Sequence, residues 1–381
     1  MSLPLHNVRV IDFTHVLAGP ACGYYLGLLG AEVIKVESES GGDAMRYRGG
    51  TDQKAAAQGM STAYLTQGGG KKSVALDLET DEGKKHMSRL LASADVFVEN
   101  HLPATMKRLQ LDEDSIATDH PHLIHCAMTG YGRGGALENM PAYDVNIQAA
   151  CGIMTLTGTS DTGPLRTGAP IMDYSVALAA GFAISTALYQ RTQTGKGTFI
   201  DVSMLETGLC LMASTITDYL ATGNEPRPRG NAANSRSPGA GSFPCKEGML
   251  SLGVNEESQF RRLAVALGKP EWLENARYKD RASRVRNAQA LERELSEVLE
   301  TKTAEEWEQI MVDHAVPAAR LRSLPECLSH DQLKARGFIK NTESGVAVSV
   351  LPFRIGSEGI VSSVTQAPRH GADTETVLSK S

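Results

Sequence analysis

Short apolar runs alternate with longer stretches of helical spacing along the first half of the chain. The run VRVIDF (residues 8–13) is followed by a turn, THVLAGP, a small-residue segment reaching Leu29, and a second run, AEVIKVE (31–37). Runs of that length rich in Val and Ile read as buried strands and the segment between them as a helix, which makes a β-α-β unit. The rhythm continues with strand SVALDL (73–78), a helix opened by TDEG and running to about Ser93, strand DVFVEN (95–100), a helix after Pro103 and strand LIHCAMT (123–129). Apolar strands alternating with helices predict a parallel sheet covered on both faces.

A long, nearly uncharged stretch follows, GAPIMDYSVALAAGFAISTALYQR (168–191). It predicts a helix that opens at Asp173 and stops at Gly195 and Gly197, with strand TFIDVSM (198–204) and a further helix to about Ala221 behind it. Asp173 stands alone at the mouth of this apolar run. Its plainest role is a helix N-cap, accepting from the free N–H groups of the first turn, with its charge matched to the positive helix end. From Thr222 to Pro244 the composition shifts to Gly, Pro, Asn, Ser and Arg, which reads as a linker or active-site loop and sets a domain boundary. The smaller segment beyond it carries a strand, MLSLGV (249–254), and helices at about 258–267, 288–301 and 303–314, while VSVLPFRIGSEG (348–359) reads as β-structure.

Composition narrows the class. With 381 residues there is room for more than one domain, and 41% hydrophobic residues, 22% charged residues and 37 glycines describe an ordinary soluble globular protein. No uninterrupted apolar span approaches membrane length, and the N-terminus lacks the basic, apolar and small-residue order of a secretory signal, so a cytoplasmic protein is expected. The six cysteines, Cys22, Cys126, Cys151, Cys210, Cys245 and Cys327, are dispersed and read as reduced thiols. A net charge of -6 and a pI near 6.0 argue against a nucleic-acid partner.

Several motif matches fail in context. GYGRGG (130–135) has the glycine spacing of a dinucleotide site, but Pro141 follows too soon for a crossover helix and no acidic residue stands at the required distance. GGGKK (68–72) lacks the upstream glycine and the Ser or Thr of a phosphate-cradling loop. His120, His122 and His125 have no Cys or carboxylate set to complete a metal centre, and no G-x-S-x-G is present. Carboxylates remain as the candidate catalytic groups.

The passages VRVIDFTHVLAGPACGYYLGLLGAEVIKVESESGGDAMR, KKSVALDLETDEGKK, ADVFVEN, GYGRGGALENMPAYDVNIQAACGIMTLTG and YQRTQTGKGTFIDVSMLE are similar to those of the family III CoA-transferases. That group holds the formyl-CoA:oxalate and carnitine CoA-transferases and is related to the α-methylacyl-CoA racemases. The similarity runs in order from Leu5 to about Ala221 and less clearly beyond. It implies an α/β fold: a large Rossmann-like domain whose parallel sheet is built from both chain ends, a small middle α+β domain, and two subunits threaded as an interlocked dimer. On this chain the expected bounds are 1–221 for the first segment of the large domain, 222–244 for the linker and glycine-rich loop, 245–325 for the small domain and 326–381 for the returning segment.

The resemblance also implies a site. Asp173 matches the catalytic nucleophile, and the helix N-terminus is expected to hold it ionised at pH 7. Coenzyme A, as the acyl-CoA substrate, is expected against Val16, Leu17 and Ala18, against Leu76, against Asn100, His101 and Leu102, and along Pro141, Ala142, Tyr143 and Asp144, with Arg108 on a phosphate. No metal and no tightly bound cofactor is implied. Leu17 stands where the oxalate-using enzymes carry Gln; Ser38 and Glu79 stand where they carry basic residues, for which Arg46 or Lys72 are substitutes. Gly239, Ala240 and Gly241 match a glycine-rich lid, and Arg227, Arg229 and Arg236 before it suit the far carboxylate of an acceptor acid. The expected activity is transfer of CoA from an acyl-CoA such as succinyl-CoA to a free carboxylic acid. A racemase-like isomerase, which needs a His where this chain has Tyr143, and an inactive CoA-binding scaffold are the alternatives.

Overall fold

Six strands lie side by side in one parallel sheet, the inner ones buried on both faces and the last in sequence, at one edge, half-buried. They are β1 (Arg9–Phe13), β2 (Glu32–Ser38), β3 (Lys72–Leu76), β4 (Val96–Glu99), β5 (Ile124–Thr129) and β6 (Thr198–Ser203), in the order β3-β2-β1-β4-β5-β6. Every residue of β5 is buried, as is every residue of β1 after Arg9. The computed structural model describes residues 3–233, 235, 237–356 and 364–380.

Each sheet face has its own core. Val10, Val33, Val98 and Cys126 face the helices Ala18–Leu28 and Ile171–Thr194; Ile11, Ile34, Phe97 and Val74 face the helix Asp81–Ala92. The chain winds outward from β1 to β3 and returns to β4, so the connections leave the carboxyl ends of β1 and β4 in opposite directions and open a crevice there. The site is built in that crevice.

The helix Ile171–Thr194 buries Val176, Ala177, Ala180, Ile184 and Ala187, a stripe at helical spacing whose small residues let it pack closely on Ala18–Leu28. Its 24 residues are long and apolar enough to cross a membrane by length and composition, so the expectation that no apolar span reaches that length does not hold. Its other side leaves Leu178, Phe182 and Tyr189 exposed.

The chain divides into two compact units. The first comprises Met1–Met154, Arg166–Pro226 and Gln332–Ser381. Within it the late segment adds a hairpin, β10 (Ile339–Asn341) with β11 (Ala347–Ser349), and a helix, Thr374–Leu378. Residues 357–359 of the expected β-stretch lie outside the described residues. Near the end of the chain, the Ser73 N–H donates to the Asp373 carboxylate at 2.9 Å and the Ala75 N–H to Thr374 Oγ1 at 3.0 Å, which covers the open edge of β3.

The second unit comprises Thr155–Leu165 and Arg227–Asp331. Its antiparallel sheet, β7 (Ala240–Pro244), β8 (Met249–Gly253) and β9 (Ala318–Arg320), packs Leu250 and Leu252 against Phe260, Leu295 and Trp307 of its helices. Two features depart from the sequence reading. Residues 155–165 join this unit, tied by the Gly230 N–H to the Gly158 carbonyl at 2.7 Å. The expected open loop ends in a strand, because Ala240 and Gly241 pair with Gly253 and Leu252.

Candidate active site

The turn that follows β1 is held in a conformation it would not adopt alone. Val16 has φ of 68°, the left-handed region, where a β-branched side chain is strained. Its neighbours impose this. Asn100, just past β4, accepts from the His15 N–H and donates to the His15 carbonyl, both at 2.9 Å. Asp43 accepts the Val16 N–H at 3.2 Å and is itself paired with buried Lys35 at 3.1 Å, whose ammonium also donates to the Thr14 carbonyl at 2.7 Å. The helix then starts so close to the turn that only glycine fits at Gly19, where a Cβ would meet the Thr14 side chain at 2.3 Å.

Between this turn and the loops after β4 and β5 lies a cavity of about 300 Å³. Val16, Leu17 and Ala18 form one wall, Asn100, His101 and Leu102 another, Pro141, Ala142 and Tyr143 a third, and Asp173 stands among them. Gly130 permits the third wall to close in, since a Cβ there would meet Ala142 Cβ at 2.6 Å. His101 stacks on Phe13 at 4.2 Å, and burial, then the charge fields of His15 and Lys35, push its pKa down to about 3, so it lines the cavity as a neutral ring. Burial likewise lowers the pKa of His15, whose Nδ1 is buried without a hydrogen-bond partner among the described residues.

Asp173 is not an N-cap. The helix begins at Ile171 with Pro170 in the cap position, and Asp173 lies in the first turn. The acceptor for that turn is Asp144, whose carboxylate takes the Met172 N–H at 2.7 Å and the Asp173 N–H at 3.4 Å, with Gln148 Nε2 on its other oxygen at 2.5 Å. Burial, reinforced by the Asp144 charge, pushes the pKa of half-buried Asp173 up to about 7. Burial and the Asp144 charge thus work against the ionised form that the helix end is expected to hold, and the first-turn N–H groups of Met172 and Asp173 go to Asp144.

A second cavity, of about 410 Å³, continues the first and shares His15, His101 and Thr105 with it. Leu76 and Arg108 line this part, with Ser38 and Glu79. The residues matched to CoA thus fall along one groove, with one exception in kind: Asp144 turns its carboxylate into the protein. Arg46 and Lys72 do not serve as substitute phosphate ligands. Arg46 is fully buried and bidentate on Glu37, at 2.7 Å and 2.6 Å, with Tyr64 on the same guanidinium, and Lys72, paired with Glu32 at 2.5 Å, is not among the described residues that line either part of the groove. Gly239 precedes β7 while Ala240 and Gly241 belong to it; Arg227 and Arg229 lie in the second unit, and Arg236 lies outside the described residues.

Sequence reasoning does not find His15, Thr105, Met128, Thr129, Met140 or Met204, which also line the first cavity. Their common signal is position: Met128 and Thr129 end β5, Met204 follows β6, and His15, Thr105 and Met140 lie on the segments that leave β1, β4 and β5. Among the described residues no group of His, Cys, Asp and Glu is arranged to hold a metal.

Residues 5–374 match the protein family described as CoA-transferase family III. Human succinyl-CoA:glutarate CoA-transferase is 33% identical over 344 residues, covering 89% of this chain and 76% of the relative. The succinyl-CoA–D-citramalate CoA-transferase of Chloroflexus aurantiacus is 32% identical over 334 residues, covering 87% of this chain and 82% of the relative. Among solved structures, a CAIB/BAIF family protein from Brucella suis matches with a TM-score of 0.87 at 29% identity over 100% of both chains.

Proposed function

We propose a specific reaction from an established premise: the chain belongs to CoA-transferase family III and is a CoA-transferase. The reaction is transfer of CoA from succinyl-CoA to a short dicarboxylic acid, with Asp173 as nucleophile. The observation that carries it is the placement of Asp173 as the one carboxylate among the described residues lining the cavity between the turns after β1 and β4. The acids acted on by the relatives, glutarate and D-citramalate, support the acceptor class.

The ionised Asp173 attacks the thioester carbonyl of the donor and expels the CoA thiolate, leaving a mixed anhydride. The thiolate returns to the aspartyl carbonyl, releases succinate and forms an aspartyl-CoA thioester. The acceptor carboxylate then displaces the thiolate to give a second anhydride, and thiolate attack on the acceptor carbonyl yields the new acyl-CoA and frees Asp173. A carboxylate with a pKa near 7 is more basic than an ordinary one and hence a stronger nucleophile once ionised. The clamped turn at Val16 supplies a rigid wall that needs no rearrangement when substrate arrives.

The working unit in this reading is a homodimer of interlocked subunits, each with a large domain from both chain ends and a small middle one. Its support is the exposed stripe of Leu178, Phe182 and Tyr189 on the helix that carries Asp173, an apolar face suited to a second copy.

Mass spectrometry of acyl-CoA products tests the reaction, using wild type and Asp173→Ala with succinyl-CoA and a panel of mono- and dicarboxylic acids. Glutaryl-CoA or a close analogue is expected with wild type alone; equal exchange by both proteins would remove Asp173 from the mechanism, and exchange with monocarboxylates only would overturn the acceptor class.

A further inference from the structure

The second cavity has an apolar floor, from Phe13, Val36 and Leu76, and an acidic rim. Two of its carboxylates are neutralised from behind, Glu37 by Arg46 at 2.6 Å and Asp43 by Lys35 at 3.1 Å. Asp77 and Glu79 remain, and against them Arg108 is the one Lys or Arg among the described lining residues. Arg108 stands in the last turn of the helix Pro103–Leu109, and its guanidinium is paired with Glu79. The Glu79 N–H is in turn held by the Asp77 carboxylate at 3.0 Å, which fixes the start of that side chain. Both partners are more than half exposed, at 56% and 67%, so the pair is one that a doubly charged anion can break.

We propose that Glu79 limits the affinity of the groove for the nucleotide end of CoA: it occupies the cation that a CoA phosphate needs, and substrate binds by exchanging the Glu79–Arg108 pair for an Arg108–phosphate pair. The inference rests on the reading that this groove takes CoA. Once displaced, Glu79 still stands beside the phosphate as a like charge, so binding carries both the broken pair and the repulsion. Glu79 therefore weakens the affinity for CoA and makes it easier for product to leave.

Titration calorimetry on the full chain, with CoA and 3'-dephospho-CoA as probes, tests this in wild type, Glu79→Gln, Arg108→Gln and the double variant. Glu79→Gln is expected to bind CoA about fivefold more tightly at low salt, from the worth of an exposed pair, with the gain shrinking as salt is raised. Arg108→Gln is expected to weaken CoA and to cancel the gain in the double variant. A gain seen with CoA and absent with 3'-dephospho-CoA places the 3'-phosphate on Arg108; an equal gain places the diphosphate there. Unchanged or weaker CoA binding by Glu79→Gln, as a carboxylate bonded to a ribose hydroxyl would produce, overturns the proposal, as does a gain that survives in the double variant. CoA binding by wild type without the Glu79 effect sinks this inference alone, whereas no CoA binding by wild type sinks the reading of the groove with it.

Discussion

The carboxylate of Asp144 accepts the peptide N–H of Asp173 at 3.4 Å, so one acid holds the backbone of the other and presses on its charge. Two consequences follow from that arrangement, one for rate and one for stability.

For rate, the proposed mechanism needs Asp173 ionised, and its pKa of about 7 then gives transfer that climbs with pH through neutrality, where an unperturbed carboxylate would be saturated well below it. The pH profile of kcat/KM is expected to show an acid limb near 7. In Asp144→Asn the side-chain oxygen still accepts the two N–H groups but the like charge is gone, so the limb moves to lower pH without reaching that of a free carboxyl, because burial remains. An acid limb that does not move would show that Asp144 acts on geometry alone.

For stability the sign is opposite to that of a paired carboxylate. Between the ordinary pKa of 3.8 and about 7, folded Asp173 keeps a proton that the unfolded chain releases, so stability falls as pH rises through that window. Asp173→Asn removes the loss and is expected to unfold later than wild type at pH 8 by about 2 kcal/mol, half of what the full shift gives, since the half-buried carboxyl lines an open cavity. Denaturant titrations at pH 5 and pH 8 check this: a gain of equal size at both would point to a cause other than the proton.

The strained turn at Val16 depends on Asn100, which secures both polar groups of the His15 peptide. Asn100→Ala is expected to let the turn relax and to weaken CoA binding about tenfold, the worth of one to two hydrogen bonds. Asn100→Asp keeps the acceptor and loses the donor, and should fall between. Calorimetry with CoA reads the order directly, and an unchanged Kd in Asn100→Ala would mean that the wall is held by Asp43 alone.

Arg46 has a structural role in place of the phosphate role its sequence position suggests. Its guanidinium and Glu37 are both buried, and although burial alone would raise the Glu37 carboxyl, the Arg46 hydrogen bonds with the Lys35 and Arg46 charges hold its pKa at about 2. Arg46→Ala strands that charge and is expected to cost about 3–5 kcal/mol, and because Glu37 lines the second cavity its unmasked charge should also weaken CoA binding by the remaining folded protein. The depressed Glu37 carboxyl contributes stability that is complete above its ordinary pKa of 4.5 and fades as pH falls toward 2. Acid unfolding of the Glu37→Gln/Arg46→Met double variant should be correspondingly shallower.

The parallel sheet is legible in the sequence because buried strands such as LIHCAMT are mostly apolar, with only His125 and Thr129 polar, and the helices between them keep their spacing. Asp173 and the walls of its cavity are legible by resemblance, which transfers along matched positions. What escapes is the destination of long-range polar groups. Nothing local in AYD says that Asp144 points to residues 172 and 173, nor does Arg46 announce Glu37 as its partner, since such pairings are set by the stacking of strands and not by spacing. The strand at Ala240–Pro244 escapes for a related reason: its Gly, Ser and Pro look like a loop, and pairing with β8 overrides that composition.

The cover over β3 bears on how the protein is made. The groups that shield the Ser73 and Ala75 N–H donors come from residues 300 and 299 positions later, so a chain emerging from the ribosome presents an open strand edge for most of its synthesis. A nascent chain in that state is a template for pairing with its neighbours on the same message, and chaperone demand should be greatest in the interval before residue 373 appears.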